Sequence, residues 1–425
     1  MWYTLYNIFS IPLMVMVVRL GGLFHPKLAR VHQHRKGWRR DWQIRADSLV
    51  PDKPVVAFHC ASVGEWEQAR PLVEQIKQQR PDVQIAVTFM SPTATTHCVM
   101  PADVDVYGIL PLDTPGNARD FFRILQPSVW VLIRNDIWPN HIRACRRQGI
   151  PIIWADANLP SSTRRLWWLV RNFYKNVFRE FSLILPASDD SRERLLPFYD
   201  APANLITAGE TRFDQVWRRS QKSDAHLLDT MRSKLQSHII IAGSTWPTDE
   251  IHIVPALLDC LEENADLTVI IVPHEPHEEH LRQLEKRFAN TTLHAVRMSS
   301  INEEKSTRIL LVDQVGILHR LYQLAEFAYV GGSFGSGVHN VMEPSVFGLP
   351  VIFGPRHRNS FEAVELHRAE AGHCVHNCSE AAAIFRRLLA EPELRTQMGR
   401  NAREIMRGHL GATDIVTNHI IKYLT

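Results

Sequence analysis

The sequence contains little that would place it among disulfide-bonded, metal-binding or nucleic-acid-binding proteins. Its six cysteines form no CxxC pair and show no zinc-ligand spacing, which favours a reducing compartment. The net charge is only +3, too small to indicate nucleic-acid binding. Internal repeats and low-complexity tracts are also absent, and 45% hydrophobic residues predict a folded, globular protein. Because 425 residues are too many for one hydrophobic core, we expect two domains.

Charge is missing from the first part of the chain. Residues 2–18 are apolar, at the short end of what crosses a bilayer, and Pro12 should kink a helix there. Without a small-residue cleavage motif, a removable signal peptide is not predicted. We expect residues 1–24 to be a membrane anchor, with a buried helix of the soluble core as the alternative.

A dense set of basic residues follows the apolar run and should attract anionic lipid headgroups. This flank predicts that the folded domains lie on the cytoplasmic side of the membrane. The basic residues are Lys27, Arg30, Arg35, Lys36, Arg39 and Arg40.

Beyond residue 50, short apolar runs alternate with helical patterns, which is typical of a parallel sheet covered on both faces. The first set of predicted strands is Val55–His59, Ile85–Phe89, Val104–Leu110, Val129–Ile133, Ile152–Ala155 and Leu183–Pro186. After a polar stretch at 211–236 the pattern resumes with Ile239–Ala242, Thr268–Val272, Ile309–Val312, Phe327–Val330 and Val351–Phe353. The predicted helices are 67–79, 118–125, 140–148, 163–181 and 191–198, with further helices from residue 379 onward.

This pattern predicts two doubly wound, Rossmann-like α/β domains that face a cleft, the GT-B architecture. We place an acceptor-side domain at 25–210 and a nucleotide-sugar domain at 211–425. Ligands of such folds bind at the carboxyl ends of the strands.

The most informative stretch is 331–355, GGSFGSGVHNVMEPSVFGLPVIFGP, which follows a predicted strand. A glycine loop between a strand and a helix brings backbone N–H groups against an anion, so Gly332 and Ser333 are candidates for donor binding. A helical pattern from His339 would put Asn340 and Glu343 on one face, where they can hold sugar hydroxyls. A tight turn without a ligand is the alternative.

Two acidic residues are expected at strand ends of the first domain. Glu65 lies where a strand passes into a helix and would project into the cleft. The spacing Ser62-x-x-Glu65, taken alone, favours a capping box, with Ser62 as the N-cap. Asp136 follows another strand and can orient a substrate hydroxyl, or can simply stabilise a helix start.

In the second half, Ser244 and Thr245 follow a strand and precede a helix, which suits either phosphate binding or an N-cap. His274 stands directly at a strand end and is a candidate phosphate contact. His277 and His280 lie on one helical face, but no HExxH motif accompanies them, so no metal site is predicted.

Several of these segments together resemble a known family. In chain order they are SVGE at 62–65, PLDTPG at 111–116, WPN at 138–140, AGST at 242–245, GGS at 331–333, HNxxEP at 339–344 and FGP at 353–355. Their order and spacing look like those of the lipid IVA 3-deoxy-D-manno-octulosonic acid (Kdo) transferases over nearly the whole chain.

The resemblance implies a GT-B fold and an inverting transfer of Kdo from CMP-Kdo to lipid IVA, a lipid A precursor, without a metal or other cofactor. It implies that Glu65 is the general base, which replaces the preference for a cap drawn from spacing alone. By the same matching, Asn340 and Glu343 hold the ribose and phosphate region of CMP. The residues implied to lie nearby are Ser244, Pro273, Val315 and Gly316.

The chain departs from the family pattern in two places. The family usually has Glu-Thr-Glu where this chain has Arg134-Asn135-Asp136, so the acidic role falls to Asp136. It commonly has Arg-His-Pro where this chain has His274-Glu275-Pro276, so a histidine takes the place of a phosphate-binding arginine. The alternatives are another GT-B enzyme that uses a UDP-sugar, such as a lipid-A disaccharide synthase or a UDP-sugar epimerase, and a catalytically inactive sugar-nucleotide-binding membrane protein.

Overall fold

The computed structural model describes residues 2–91, 94–95, 100–159, 163, 168–222, 224–288, 293–303 and 306–424. The chain forms two compact units. The first unit comprises Met1–Gln215 together with His409–Thr425, and the second unit comprises Val216–Gly408.

The first unit is built on a six-stranded, wholly parallel sheet with the strand order β3-β2-β1-β4-β5-β6. Its strands are β1 Val55–Cys60, β2 Gln84–Phe89, β3 Val106–Ile109, β4 Val129–Ile133, β5 Ile152–Ala157 and β6 Leu183–Pro186. The interior strands are buried along their whole length because helices cover both faces, which is why their sequences are apolar throughout.

The helices in the part of the chain up to residue 220 include the long one that follows β1. They are α1 Trp2–Leu5, α2 Ile11–Phe24, α3 Pro26–Gln33, α4 Trp38–Asp47, α5 Val63–Gln79, α6 Pro115–Leu125, α7 Pro139–Arg147, α8 Trp168–Phe178, α9 Asp189–Leu195 and α10 Thr211–Ser220. The prediction for 163–181 falls partly on 164–167, which lie outside the described residues.

The second unit contains a seven-stranded parallel sheet with the order β13-β12-β11-β7-β8-β10-β9. Its strands are β7 His238–Thr245, β8 Leu267–Pro273, β9 Ala295–Arg297, β10 Ile309–Leu311, β11 Phe327–Val330, β12 Val351–Phe353 and β13 Gly372–Cys374. Its helices are α11 Ala225–Arg232, α12 Pro247–Glu263, α13 Glu278–Phe288, α14 Leu318–Leu321, α15 Met342–Val346, α16 Phe361–Arg368, α17 Cys378–Ala390 and α18 Pro392–Gly408. The next helix in the chain, α19 Ala412–Ile421, belongs to the first unit.

The two doubly wound sheets confirm the predicted fold class, and all eleven predicted strands are present. The strands β9 and β13 were not predicted. Each is three residues long and lies at an edge of the second sheet, so neither carries the continuous apolar run of a buried strand. The polar stretch 211–236, for which no element was predicted, contains α10 and α11.

The C-terminal end of the chain does not belong with the second unit, so the predicted domain 211–425 was wrong for residues 409–425. Helix α19 buries Val416 and Ile420 in the core of the first unit. The Asp414 carboxylate also accepts a hydrogen bond from Gln75 at 2.6 Å. A single apolar helix face fits either domain equally well, and its sequence does not reveal which of them it covers.

The N-terminal segment is helical from Trp2 to Phe24, with a π-helical turn at Tyr6–Ser10 between α1 and α2. Pro12, expected to kink this helix, follows the wider turn, which accommodates the missing N–H and the bulk of the ring. Among the described residues, one helix, Trp2–Gly21, is long and apolar enough to cross a membrane.

Candidate active site

In the first unit, polar side chains follow the carboxyl ends of the neighbouring strands β1, β4 and β5. Glu65 lies in the first turn of α5, just after β1. Asp136 follows β4, and Asp156 is the next-to-last residue of β5. Because neighbouring parallel strands end at one edge of the sheet, these three carboxyl groups share one side of the unit.

The predicted N-cap at Ser62 is confirmed, but the Glu65 side chain bonds one residue before Ser62 and not to Ser62 itself. The Ser62 hydroxyl accepts a hydrogen bond from the Glu65 N–H at 3.4 Å, and the Glu65 carboxylate turns back to accept one from the Ala61 N–H. Burial raises the pKa of Glu65, while the Ala61 amide and His59 act in the opposite direction. A carboxylate has about four acceptor sites, so this one backbone hydrogen bond leaves capacity for a substrate hydroxyl.

Asp136 is held by two aromatic donors. Its Oδ2 atom lies 2.9 Å from Nε2 of the fully buried His59 and accepts a hydrogen bond from the Trp138 indole at 2.9 Å. The other ring nitrogen of His59 lies 2.9 Å from the Thr88 hydroxyl, so the imidazole is fixed from both sides. Asp136 also acts electrostatically on Glu65, raising its pKa. The buried His59 was missed because a lone histidine inside an apolar strand gives no sequence signal.

The motifs PLD and WPN meet at Asp113, whose role the sequence did not reveal. Its buried carboxylate accepts hydrogen bonds from the backbone N–H groups of Asn140 and His141 at 3.1 and 2.8 Å, in the first turn of α7. It also lies 2.7 Å from Nδ1 of His141. A carboxylate at this position stabilises a helix start, which explains why these two motifs occur together.

Asp156 is a buried carboxyl group in a left-handed backbone conformation, with φ of 49°. It accepts a hydrogen bond from the Thr211 N–H at 3.1 Å, at the start of α10. Burial, followed by the nearby Glu210, raises the pKa of Asp156 to about 7. The group therefore keeps its proton in the folded protein over a pH range in which an exposed aspartate has lost it.

This raised pKa predicts a pH-dependent stability. Between about pH 4 and 7 the unfolded chain loses the proton that folded Asp156 retains, so stability falls as the pH rises through that window, by about 3 kcal/mol. We expect Asp156→Asn to flatten this part of the pH dependence in urea unfolding. The exposed Asp190→Asn is the matched control and should leave it unchanged. Equal pH slopes for wild type and Asp156→Asn would contradict the prediction.

In the second unit, the AGST segment ends β7. Ser244 has φ of 53° and is partly exposed, whereas Thr245 is buried. The Thr245 hydroxyl donates to Glu250 at 2.9 Å, and Glu250 in turn pairs with His280 at 2.9 Å. Ser244, rather than Thr245, is therefore the residue of this segment whose side chain a ligand can reach.

The glycine loop after β11 is anchored by Asp249, which lies in the first turn of α12. This buried carboxylate accepts hydrogen bonds from the Gly332 N–H at 2.8 Å and the Phe334 N–H at 3.2 Å. It also accepts from the Tyr329 hydroxyl at 2.9 Å. Asp249 was missed in the sequence, although an acidic residue at the third position of a helix is a capping signal that could have drawn attention to it.

These contacts change the role expected for Gly332 and Ser333. The Gly332 N–H bonds to Asp249, and the buried Ser333 hydroxyl accepts a hydrogen bond from the Gly354 N–H at 2.6 Å. Gly332 has φ of 92°, and a Cβ there would lie 2.3 Å from the Gly337 carbonyl oxygen. Both residues thus hold the loop in shape, which favours the tight-turn interpretation for this part of the segment.

Next to the loop, Trp246, His274 and His339 form an aromatic cluster. The two imidazole rings stack with centroids 4.2 Å apart. The Trp246 indole donates to Nε2 of His339 at 2.8 Å, so the His339 proton is carried on Nδ1. Burial and the neighbouring His274 lower the pKa of His339. His274 is exposed at the end of β8, where a phosphate can approach it.

The predicted helix from His339 was wrong, because α15 begins only at Met342. Asn340 precedes that helix and accepts a hydrogen bond from the Met342 N–H at 3.1 Å. Glu343 lies within the helix and lines a small pocket together with Arg219 and His319. Asn340 and Glu343 therefore do not share a helical face.

The other predicted donor contacts lie at strand ends of the same sheet. Pro273 is buried at the end of β8, and Gly316 is exposed with φ of 85° in the loop after β10. Val315 in that loop is 77% exposed. Arg219 and His319 were not predicted to lie beside Glu343, because two basic residues 100 positions apart in the sequence form no motif.

The basic residues of the N-terminal flank differ in their surroundings. Arg35 is buried, and it donates to the Leu110 carbonyl at 3.1 Å and the Met90 carbonyl at 3.0 Å, so its assignment to lipid binding was wrong. Burial lowers the pKa of Arg35 to about 10. Arg39 pairs with Asp120 at 3.0 Å and remains half exposed.

Three of the other basic side chains are exposed, and the side chain of Lys27 lies outside the described residues. The exposed ones are Arg30, Lys36 and Arg40.

The sequence is similar to one family along its length. The profile of a family described as 3-deoxy-D-manno-octulosonic-acid transferase (kdotransferase) matches residues 32–215. A 3-deoxy-D-manno-octulosonic acid transferase of Haemophilus influenzae is 25% identical over 433 aligned positions, which cover 100% of this chain and 99% of that protein. A transferase of the same name from Aquifex aeolicus is 26% identical, with 81% and 88% covered.

Solved structures of other enzymes share the fold. UDP-GlcNAc 2-epimerase of Neisseria meningitidis, solved with UDP-GlcNAc, superposes with a TM-score of 0.60 at 14% identity, covering 87% of this chain and 100% of that one. MurG of Acinetobacter baumannii gives a TM-score of 0.53 at 14% identity, covering 87% and 99%. At such identities the similarity establishes the GT-B fold and nothing about the substrate.

Proposed function

We propose that this chain, which is similar along its length to Kdo transferases and has the GT-B fold, transfers Kdo from CMP-Kdo to lipid IVA with inversion at the anomeric carbon. The observation that carries the proposal is the position of Glu65. This half-buried carboxyl group lies at the strand-end edge of the first sheet, in the SVGE motif, beside the His59–Asp136 pair.

In the proposed reaction, Glu65 takes the proton of an acceptor hydroxyl as that oxygen attacks the anomeric carbon of Kdo. The new carbon–oxygen bond forms on the face opposite CMP, the bond from that carbon to the phosphate oxygen breaks, and CMP leaves with the electron pair. The raised pKa makes Glu65 a stronger base than an exposed glutamate. Asp136 keeps the local field negative, which favours proton uptake.

The second unit is proposed to bind the donor. Its candidates for the phosphate are the exposed ring of His274 and the Ser244 hydroxyl. The fixed tautomer of His339 offers an Nδ1–H donor beside them. Asn340 and Glu343, with Val315 and Gly316, are proposed to contact the ribose and phosphate region of CMP. Preformed donors of this kind stabilise a phosphate leaving group without magnesium.

The acceptor is proposed to reach the enzyme from the cytoplasmic face of the inner membrane. The exposed apolar helix Trp2–Gly21 and the exposed basic side chains after it support membrane association. Lipid IVA combines phosphates with acyl chains, so a basic surface next to an apolar one suits it.

Ligand-induced stabilisation discriminates between CMP-Kdo and UDP-sugar donors. At concentrations about 100 times its Kd, CMP should stabilise the protein by about 2.7 kcal/mol and raise its melting temperature, whereas UDP should not. Protection by UDP with no effect of CMP would favour a UDP-sugar enzyme.

Mass spectrometry of the product formed from lipid IVA, CMP-Kdo and purified protein tests the reaction itself. An added Kdo unit is the expected result. Unchanged lipid IVA, together with normal protection by CMP, would favour the inactive sugar-nucleotide-binding protein.

A further inference from the structure

The beginning of the N-terminal helix is fastened to the first unit. The Tyr6 hydroxyl donates to the buried Asp113 carboxylate at 2.9 Å. The side-chain amides of Asn7 and Asn140 exchange hydrogen bonds of 3.1 and 2.7 Å. The Tyr6 ring also stacks on Phe173, with centroids 5.4 Å apart. The first two turns of the helix therefore lie on the folded unit, at the WPN motif.

The chain returns to the same unit shortly after the helix ends. The Arg35 guanidinium is buried against the Leu110 and Met90 carbonyl groups. Trp42, in α4, is buried in the core of the first unit and its indole donates to the Ile109 carbonyl at 2.9 Å. The segment between Asn7 and Arg35 is thus tethered at both ends to one folded body.

This double attachment is incompatible with a single crossing of a bilayer. A crossing helix would leave Phe24 on the far side, and the chain would have to return through the hydrocarbon before Arg35. The eleven residues from 25 to 35 are mostly helical and span roughly 20 Å, whereas the hydrocarbon layer is about 30 Å thick. They would also carry the exposed Arg30 through the apolar layer.

One face of the helix nevertheless exposes a continuous apolar stripe. Within this helix Ile11 and Val18 are buried, whereas Phe9 is 66% and Phe24 87% exposed. On a folded protein, a contiguous patch of several large, exposed apolar side chains marks a binding surface. The exposed stripe consists of Leu5, Ile8, Phe9, Leu13, Met16, Val17, Leu20 and Phe24.

The charge around the stripe indicates what covers it. The first 40 residues contain no aspartate or glutamate. Their exposed charged side chains are all basic, and they include Arg19, Arg30, Lys36 and Arg40. An apolar helix face flanked only by positive charge complements the headgroup and acyl boundary of an anionic leaflet.

We propose that residues 2–40 are a monotopic attachment, in which the helix lies in the plane of one anionic leaflet and does not cross it. The N terminus then stays on the same side of the membrane as both units. The inference deepens the proposed function, since it rests on the membrane being the source of the acceptor. It adds that the helix places the surface of the leaflet next to Asn140 of the WPN motif.

Sided proteolysis tests the topology. The full-length protein, with a protease-cleavable tag before residue 1, is bound to the outside of vesicles of phosphatidylcholine with about 30 mol% phosphatidylglycerol. Protease added outside should remove the tag completely without detergent. A tag that is cleaved only after detergent is added would show a crossing helix and overturn the proposal.

Vesicle flotation tests the stripe. The triple variant Leu13→Ser, Val17→Ser and Phe24→Ser should bind these vesicles at least tenfold more weakly. A matched triple variant, Val50→Ser, Ile251→Ser and Phe361→Ser, changes exposed apolar side chains elsewhere and should bind as wild type. Equal vesicle binding by the stripe variant and the wild type overturns the proposal. If the stripe variant, with binding unchanged, converts a dimer to a monomer in light scattering, the stripe is an interface between two copies of the chain and the proposal is overturned as well.

A transfer assay with detergent-dispersed lipid IVA separates this inference from the proposed function. The stripe variant should retain Kdo transfer there, because its acceptor no longer has to be reached in a bilayer. Absence of transfer by the wild type in this assay counts against the proposed function alone. Loss of transfer by the stripe variant only would show that the helix acts in catalysis rather than in attachment, and would overturn the inference.

Discussion

Replacing Glu65 with Gln is expected to lower kcat for Kdo transfer by about 10²–10⁴-fold, the usual contribution of a general base. Glutamine retains an oxygen that accepts the Ala61 N–H, so the cap of α5 is preserved while proton uptake is lost. CMP protection against unfolding should remain as in wild type, since the donor is proposed to bind to the second unit. The steady-state rate and the melting temperature with CMP are the two measurements.

The matched control is Glu74→Gln, which changes a carboxylate of the same helix that pairs with Arg70. It should transfer Kdo at the wild-type rate. Near-normal turnover by Glu65→Gln would show that this carboxylate only caps the helix. In the wild type, the raised pKa also displaces the acid limb of the pH–rate profile above the range of an ordinary glutamate, because the base must be ionised to act.

The second large effect is expected from Asp249→Asn. This substitution leaves one acceptor oxygen and turns an amide NH₂ towards a cluster formed by the Gly332 N–H, the Phe334 N–H and the Tyr329 hydroxyl. Unpaired buried donors cost about 1–3 kcal/mol each, so the free energy of unfolding should fall by about 3 kcal/mol. For a unit of this size the melting temperature should fall by about 10 °C.

Because the loop that Asp249 holds continues into His339 and Asn340, two proposed donor contacts, CMP binding should weaken at least tenfold, measured by calorimetry well below the melting temperature. The matched control is Asp259→Asn, on the same helix but half exposed and paired with Arg386, which should change neither property. Unchanged CMP affinity in a destabilised Asp249→Asn protein would show that the loop does not take part in donor binding.

The sequence predicted the elements that depend on local pattern. Every interior strand was found because a strand buried on both faces must be apolar throughout, and Ser62 formed the N-cap that the spacing Ser62-x-x-Glu65 predicts. Short strands at the sheet edges, such as β13, were missed because they lack that run. The start of the helix after the glycine loop was placed too early, since the pattern at His339 has helical spacing but the loop retains His339 through its own backbone.

The sequence predicted where the candidate site residues lie in the fold, but not which groups they contact. Glu65, Asp136 and His274 all lie at strand ends, as expected for this fold. Their partners were not foreseen, because a buried histidine such as His59 carries no sequence signal and its neighbour is 77 positions away.

What the sequence determined by itself is the class of fold and the resemblance to one family, since these depend on apolar periodicity and on the order of short motifs. The tertiary structure decided which polar groups satisfy one another. It buried Arg35 against carbonyl groups, assigned Asp249 to the glycine loop and returned α19 to the first unit. The physical reason is that a buried hydrogen-bonding group must find a partner in space, and that partner can come from any part of the chain that packing brings within about 3 Å.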